Sequence, residues 1–138
     1  MTYEEKKQWL NRYRKAQRQQ QVLQEELAQL RSSSCRVTQL LSAVPGGAGD
    51  GQALPRAVEQ ILHTQQQLAQ QIALCQAVRR QVASAIDQLP AGSTEHLLLR
   101  RRYLMGQCWC DIAREMQVDE RWLYRKHKLA VQKLSLQP

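Results

Sequence analysis

The sequence contains no phenylalanine, and aromatic residues make up only 5% of its 138 residues. A large mixed-sheet core is therefore not expected, because aromatic side chains dominate the buried area of such cores. No apolar run approaches the roughly 20 residues that a membrane-spanning helix needs. The polar segment 1–18 also lacks the apolar stretch of a signal peptide. We therefore expect a cytoplasmic protein with no membrane partner, whose four cysteines are thiols.

Proline and glycine are scarce over two long stretches. Proline is absent from residues 1–44 and 56–89, where the helix formers Gln, Leu, Ala, Arg and Glu dominate. The glycine-rich segment PGGAGDG predicts a loop over residues 45–53, and LPAGST at 89–94 is a second break. The pattern predicts an all-α protein with a helical hairpin at 1–89 and a second domain at 90–138.

Both long helices carry a sustained 4,3 spacing of apolar and small residues, which is typical of a coiled coil. The first series is Trp9, Tyr13, Ala16, Gln20, Leu23, Leu27, Leu30, Ser34, Val37, Leu41 and Val44. The second is Leu54, Val58, Ile61, Gln65, Leu68, Ile72, Cys75, Arg79, Val82, Ile86 and Leu89. An antiparallel hairpin folded at the glycine loop would pair Leu27 with Ile72 and the polar Gln20 with Arg79.

The second long helix has further small or apolar residues beside its seam. They are Ala57, Leu62, Ala69, Val78, Ala83 and Ala85. A widened apolar stripe usually packs against an additional element. Two interpretations remain open, a homodimer through helix 56–89 and contact with the C-terminal domain of the same chain.

The formal net charge is +8, and it lies at the two ends of the chain: +4 over residues 1–44, 0 over 45–93 and +4 over 94–138. This basicity favours a polyanionic partner, either nucleic acid or an anionic membrane. The N-terminal basic residues form either a second nucleic-acid contact or a solvated helix face. They are Lys6, Lys7, Arg12, Arg14, Lys15 and Arg18.

The C-terminal segment has the pattern of a helix-turn-helix. A short amphipathic helix is predicted over 108–116, followed by a turn at 117–119 and a helix over 120–134 that Asp119 would cap. The predicted buried positions are Ile112, Ala113, Met116, Val118, Leu123, His127, Ala130 and Leu134.

Residues 89–135 resemble region 4 of bacterial sigma factors. The positions that carry the resemblance are Leu89-Pro90, Leu98-Leu99, Arg102-Tyr103, Gly106, Trp109, Ile112-Ala113, Val118, Leu123-Tyr124-Arg125, Ala130 and Leu134. Gln117 replaces the usual turn glycine, Cys108 the usual Ser/Thr cap, and Arg101 a commonly apolar residue. The aromatic-rich region 2 of a complete sigma factor has no counterpart.

The whole layout is similar to small ArpU/RinA-type regulators of phages and prophages of Gram-positive bacteria. The resemblance implies a transcriptional regulator in the cytoplasm of a bacterial host cell. It also implies double-stranded DNA as partner and a contact with RNA polymerase.

Helical geometry predicts the face of helix 120–134 that would read DNA. Its outer stripe is Arg121, Tyr124, Arg125 and Lys128. Arginine reads guanine edges in the major groove, whereas lysine and tyrosine commonly bind phosphate, and Glu120 could accept from cytosine. Arg100 and Arg101 are candidates for contact with the DNA backbone, while Arg102 is a candidate for a structural role. The competing interpretation is a basic surface helix without a ligand.

The sequence contains no recognisable catalytic motif. It contains no phosphate-binding glycine loop, no paired acids and no nucleophile motif, so we expect neither an enzyme nor a cofactor. Zinc is not expected at Cys108 and Cys110, because zinc fingers separate their paired cysteines by two to four residues. An alternative function is a phage DNA-packaging protein of the small-terminase type, or another assembly protein, that uses the same helix-turn-helix within a ring of subunits.

Overall fold

The computed structural model describes residues 1–43 and 53–137, with side chains described for 1–36 and 54–137. Its helices are α1 (Tyr3–Leu10), α2 (Arg12–Ala43), α3 (Ala53–Ile86), α4 (Thr94–Leu99), α5 (Trp109–Met116) and α6 (Glu120–Lys133). The described residues contain no strand, so the all-α prediction is confirmed. The predicted glycine loop lies outside the described residues, apart from Ala53, which begins α3.

The chain forms two compact units, which we describe separately. Unit 1 contains Met1–Gln17 and Cys75–Pro138, and unit 2 contains Arg18–Leu74. The contacts thus group the N-terminal residues with the C-terminal segment, whereas the sequence-based division falls at 89/90. That division into a domain 1–89 and a domain 90–138 stays a prediction.

Unit 1 opens with a short helix that its own sequence defines. Thr2 and Glu5 form a capping box: the Thr2 hydroxyl accepts from the Glu5 amide at 3.2 Å, and the Glu5 carboxylate accepts from the Thr2 amide at 2.8 Å. Helix α1 ends at Leu10, and α2 begins after Asn11, so the predicted first helix is divided in two. The fully buried Leu10 anchors α1 in the core of unit 1.

The core of unit 1 has two apolar clusters. The larger contains Leu10, Val78, Val82, Ile86, Leu89, Leu99, Tyr103, Leu104, Ala130, Val131 and Leu134. The smaller contains Leu98, Ile112, Ala113 and Leu123, with Trp109, Met116, Val118 and Trp122 packed against it. The widened apolar stripe of α3 is therefore covered in unit 1 but not in unit 2. Val78 and Ala83 pack against residues of the C-terminal segment, whereas Leu62 and Ala69 are exposed in unit 2.

In unit 2, α2 buries the residues that its heptads predict. Leu27 is buried, and Leu23, Leu30 and Ser34 are half-buried at the expected spacing. The prediction for α3 is wrong at the N-terminal end of the helix, because the predicted seam residues Leu54 and Val58 are 39% and 45% exposed. The side chain that is buried there instead is that of Thr64.

Contacts between the two helices of unit 2 do not match the predicted pairing. The Gln71 amide nitrogen lies 3.3 Å from the Gln19 amide oxygen. Leu30 shares a cavity with Gln60 and Thr64, whereas the predicted register would place it at Leu68. The two helices are therefore displaced by about one heptad, which the repeat itself permits because every seventh position is equivalent. In unit 1, Val78 is buried and its neighbour Arg79 is exposed, so the charge predicted for the seam stays in solvent.

Candidate nucleic-acid interface

Helices α5 and α6 are joined by residues 117–119. Cys108 precedes α5 in an extended conformation, and Asp119 caps α6 as predicted, its carboxylate accepting from the Arg121 amide at 3.3 Å. Gln117 adopts the left-handed conformation, with φ 58° and ψ 46°. Glycine normally occupies such a position because a side chain is strained there.

The turn is closed by the backbone of α5. The Val118 amide donates to the Ala113 carbonyl at 3.0 Å, and the Gln117 amide donates to the Arg114 carbonyl at 3.3 Å. These bonds satisfy carbonyls that the helix end would otherwise leave unpaired. The start of α6 is therefore positioned by hydrogen bonds rather than by glycine at the turn.

The inner face of α6 is buried as predicted. Leu123, His127, Ala130 and Leu134 are all at most 2% exposed. Met116 and Val118 are half-buried against the smaller cluster.

His127 is the polar centre of this core. The Tyr103 hydroxyl lies 2.6 Å from its Nε2, and the Tyr3 hydroxyl lies 3.0 Å from its Nδ1. Burial, together with the cations of Lys7 and Arg102, lowers the pKa of His127 to about 4, and burial raises the pKa of Tyr103 above its ordinary value. A neutral imidazole has one donor and one acceptor nitrogen, so one tyrosine accepts from the ring and the other donates to it.

The outer face of α6 carries the predicted recognition residues. Arg121, Arg125 and Lys128 are exposed, and Tyr124 is 48% exposed. In the described part of the chain no carboxylate forms an ion pair with any of the three cations. The predicted Glu120 is half-buried at the start of the helix.

Aromatic side chains fix the position of Tyr124. Its ring packs on Trp109 of α5 with centroids 4.9 Å apart, and Trp109 also meets His127 edge-on at 4.9 Å. The Arg102 guanidinium lies 4.8 Å from the same indole and donates to the Gln107 carbonyl at 3.0 Å. The pKa of Arg102 is lowered, mainly by burial and to a smaller extent by the positive charge of Arg14. These contacts give Arg102 the structural role considered for it from the sequence.

The other two predicted backbone contacts, Arg100 and Arg101, lie on a π-type turn that continues α4 through Leu104. The Met105 amide donates to the Arg100 carbonyl at 3.0 Å, five residues back. Arg100 lies 3.6 Å from Asp87, and Arg101 forms an ion pair with Glu115. Both arginines therefore have acidic partners, unlike Arg121, Arg125 and Lys128 among the described residues.

The N-terminal helix is a neighbour of α6 that local sequence patterns did not reveal. The Lys6 ammonium donates to the carbonyls of Leu134 and Gln132, at 2.7 and 3.1 Å, and so caps the last turn of α6. A lysine that caps a helix 126 residues away gives no signal in the sequence around either residue.

Other chemistry is little represented among the described residues. No group of three or more His, Cys, Asp or Glu side chains within residues 1–36 and 54–137 is arranged to hold a metal ion. Cys35, Cys108 and Cys110 are exposed, and Cys75 is buried. None of the helices in the described ranges is long and apolar enough to cross a bilayer.

Comparison of the chain with protein-family models, with curated proteins and with solved structures finds no match. The argument for function therefore depends on the geometry of unit 1.

Proposed function

We propose that this protein is a sequence-specific DNA-binding transcriptional regulator of phage or prophage type, and that it is not an enzyme. In this proposal α5 and α6 form a helix-turn-helix, and residues 120–134 enter the major groove of double-stranded DNA. Helices α2 and α3 form an antiparallel coiled-coil hairpin. As the resemblance to sigma region 4 implies, RNA polymerase is a second candidate partner.

One observation carries the proposal: Arg121, Arg125 and Lys128 are exposed on one helix and have no acidic partner among the residues that the structure describes. An unpaired cation stripe is available to a polyanion, because no internal carboxylate has to be displaced when the anion binds. The stripe begins at the N-terminal end of α6, where a recognition helix meets base edges. Arg121 and Arg125 would read bases, and Lys128 and Tyr124 would hold phosphates.

Arg100 and Arg101 have a secondary place in the proposal. Each has a surface carboxylate partner, and exposed ion pairs contribute only about 0–1 kcal/mol. A DNA phosphate could therefore replace those carboxylates at small cost. Substitution of either arginine should weaken binding to all sequences equally.

A salt-titrated binding assay tests the recognition helix. Duplexes selected by the protein from a random pool would be compared with scrambled duplexes, using wild type, Arg125→Ala and Lys128→Ala. Arg125→Ala should cost about 1–3 kcal/mol on the selected duplex and little on the scrambled one. Lys128→Ala should weaken binding to both and flatten the salt dependence. Equal binding of both duplexes by all three proteins at physiological ionic strength would overturn the proposal.

A DNA-packaging or other assembly protein is a second candidate, which the exposed apolar side chains of α3 favour. Leu54, Val58, Leu62 and Leu74 are between 39% and 54% exposed. Such side chains could join copies of the chain through helix 56–89. Light scattering after size exclusion separates the candidates, because a regulator should be a monomer or dimer and a packaging protein a ring of many subunits.

A further inference from the structure

Helix α1 is held against α6 by three different kinds of contact. Leu10 lies in the same apolar cluster as Ala130 and Val131 of α6. Tyr3 reaches His127 through its hydroxyl, and Lys6 caps the C-terminal turn. The side chains of α1 therefore have fixed positions beside the helix that the proposed function places on DNA.

Two cations from these two helices converge on one aromatic ring. The Lys7 ammonium lies 5.2 Å from the centroid of the Tyr3 ring, and the Lys128 ammonium lies 5.8 Å from it. Lys128 belongs to the exposed stripe of α6, so Lys7 continues that stripe onto α1. The adjacent His127 is neutral near pH 7, because its pKa is about 4.

Within the described part of the chain, the one acidic group that competes for Lys7 is a weak partner. Its ammonium lies 3.7 Å from the Glu4 carboxylate, whose side chain is 71% exposed. A surface pair three residues apart on a helix contributes a few tenths of a kcal/mol and is screened by salt. The Lys7 ammonium can therefore leave the Glu4 carboxylate for an anion that binds it more strongly.

We propose that Lys7 of α1 binds the DNA backbone jointly with Lys128 of α6, each ammonium group being positioned beside the Tyr3 ring. The inference rests on the proposed function of α6 and adds a DNA contact from the opposite end of the chain. Phosphate is the anion that suits the arrangement, since lysine binds it as a point charge and needs no paired acceptor geometry. Lys6 differs from Lys7 because both of its contacts are to backbone carbonyls of this chain.

The test is the salt dependence of binding to selected and scrambled duplexes, measured for wild type, Lys7→Gln, Lys7→Arg and Lys15→Gln. Lys15 is the matched control, because it is an exposed lysine of the same N-terminal segment. Lys7→Gln should lower the magnitude of the slope of log K against log[salt] by about 0.9, the value for one lost phosphate contact. Affinity should fall by the same factor on both duplexes, and Lys7→Arg and Lys15→Gln should keep the wild-type slope.

A footprint on the unmutated protein gives a second readout. In the complex with DNA, Lys7 and Lys128 should be protected from acetylation, whereas Lys15 should react as in the free protein. A wild-type slope for Lys7→Gln, or an unprotected Lys7, in a protein that binds DNA would overturn this inference and leave the proposed function intact. A wild-type protein that binds neither duplex would overturn both.

Discussion

The two compact units use the same kind of helix in different ways. Among the described side chains of unit 2, only Leu27 and Thr64 are buried, and the other seam residues are half-buried or, like Leu54 and Val58, exposed. In unit 1 the continuation of α3 is covered by further elements, and Val82 and Ile86 are fully buried. Two helices alone leave their seam partly in water, so a third layer is needed before the same heptad spacing produces a closed core.

Charge separates the units as clearly as burial does. Residues 60–74 of α3 contain no Lys, Arg, Asp or Glu, whereas unit 1 contains the unpaired cations of α6. The whole of unit 2 has four arginines and four acidic residues, a formal net charge of 0, so it attracts a polyanion less than unit 1 does. Unit 1 combines a buried apolar core with an exposed basic face, as the proposed recognition of DNA would require.

The largest expected effect compares one leucine from each unit. Leu123→Ala in unit 1 should lower the free energy of unfolding by about 2–5 kcal/mol, because its side chain is fully buried and would leave a cavity. Leu68→Ala in unit 2 should cost about 1 kcal/mol, because this leucine is half-buried. Urea titrations followed by circular dichroism measure both, and equal losses would contradict the comparison.

The second prediction uses acid to weaken unit 1. His127 has a pKa of about 4 in the folded protein and 6.5 as its ordinary value, so the unfolded chain takes up a proton first as the pH falls. The contribution of neutral His127 to the free energy of unfolding is fully present above pH 6.5 and is lost as the pH falls from 6.5 to 4. The loss should reach about 3 kcal/mol, since one pKa unit is worth about 1.4 kcal/mol.

His127→Gln should remove that part of the pH dependence of stability. The matched control is His63→Gln in unit 2, because His63 is exposed. Thermal melts of both variants and wild type across this pH range make the measurement. A wild-type slope for His127→Gln would show that this histidine does not link stability to pH.

The third prediction compares the hydroxyl of the buried Tyr103 with that of Tyr13 at the surface. Loss of the buried hydrogen bond should lower the free energy of unfolding more. Tyr103→Phe should cost about 1–3 kcal/mol, because it leaves Nε2 of the buried His127 without its 2.6 Å partner. Tyr13→Phe removes a hydroxyl that pairs with Gln17 at the surface, at 2.9 Å, and should cost less than about 1 kcal/mol. If urea titration gave equal losses, the His127 network would contribute no more than a surface bond.

The smallest expected effect is that of replacing a glutamine by glycine, which should stabilise the protein in unit 1 and destabilise it in unit 2. Gln117→Gly should stabilise the protein by about 0.5–1 kcal/mol, because it relieves the left-handed conformation. Gln66→Gly, at an exposed position within α3, should destabilise by a similar amount, because glycine is a poor helix former. The same substitution thus tests the turn against a regular helix, and two shifts of one sign in thermal melts would contradict the assignment of strain to Gln117.

Local patterns predicted the C-terminal elements closely because their causes are local. Asp119 caps α6 through the amide two residues later, and the buried positions Ile112 and Leu123 follow from helical periodicity. The predicted register of the long helices was wrong for a different reason. A heptad repeat remains in phase after a shift of seven residues, so periodicity alone does not fix which heptads of the two helices face each other.

The sequence by itself determined that this protein is helical, where α5 and α6 begin and end to within one residue, and which face of α6 is basic. Periodicity, capping residues and charge act over a few residues, and they can be read directly. Only the tertiary structure decided that Tyr3 and Lys6 meet α6, and that Tyr3 and Tyr103 both bind His127. These contacts join residues 24 to 128 positions apart, and they form because packing of the α6 core brings distant polar groups within hydrogen-bond distance.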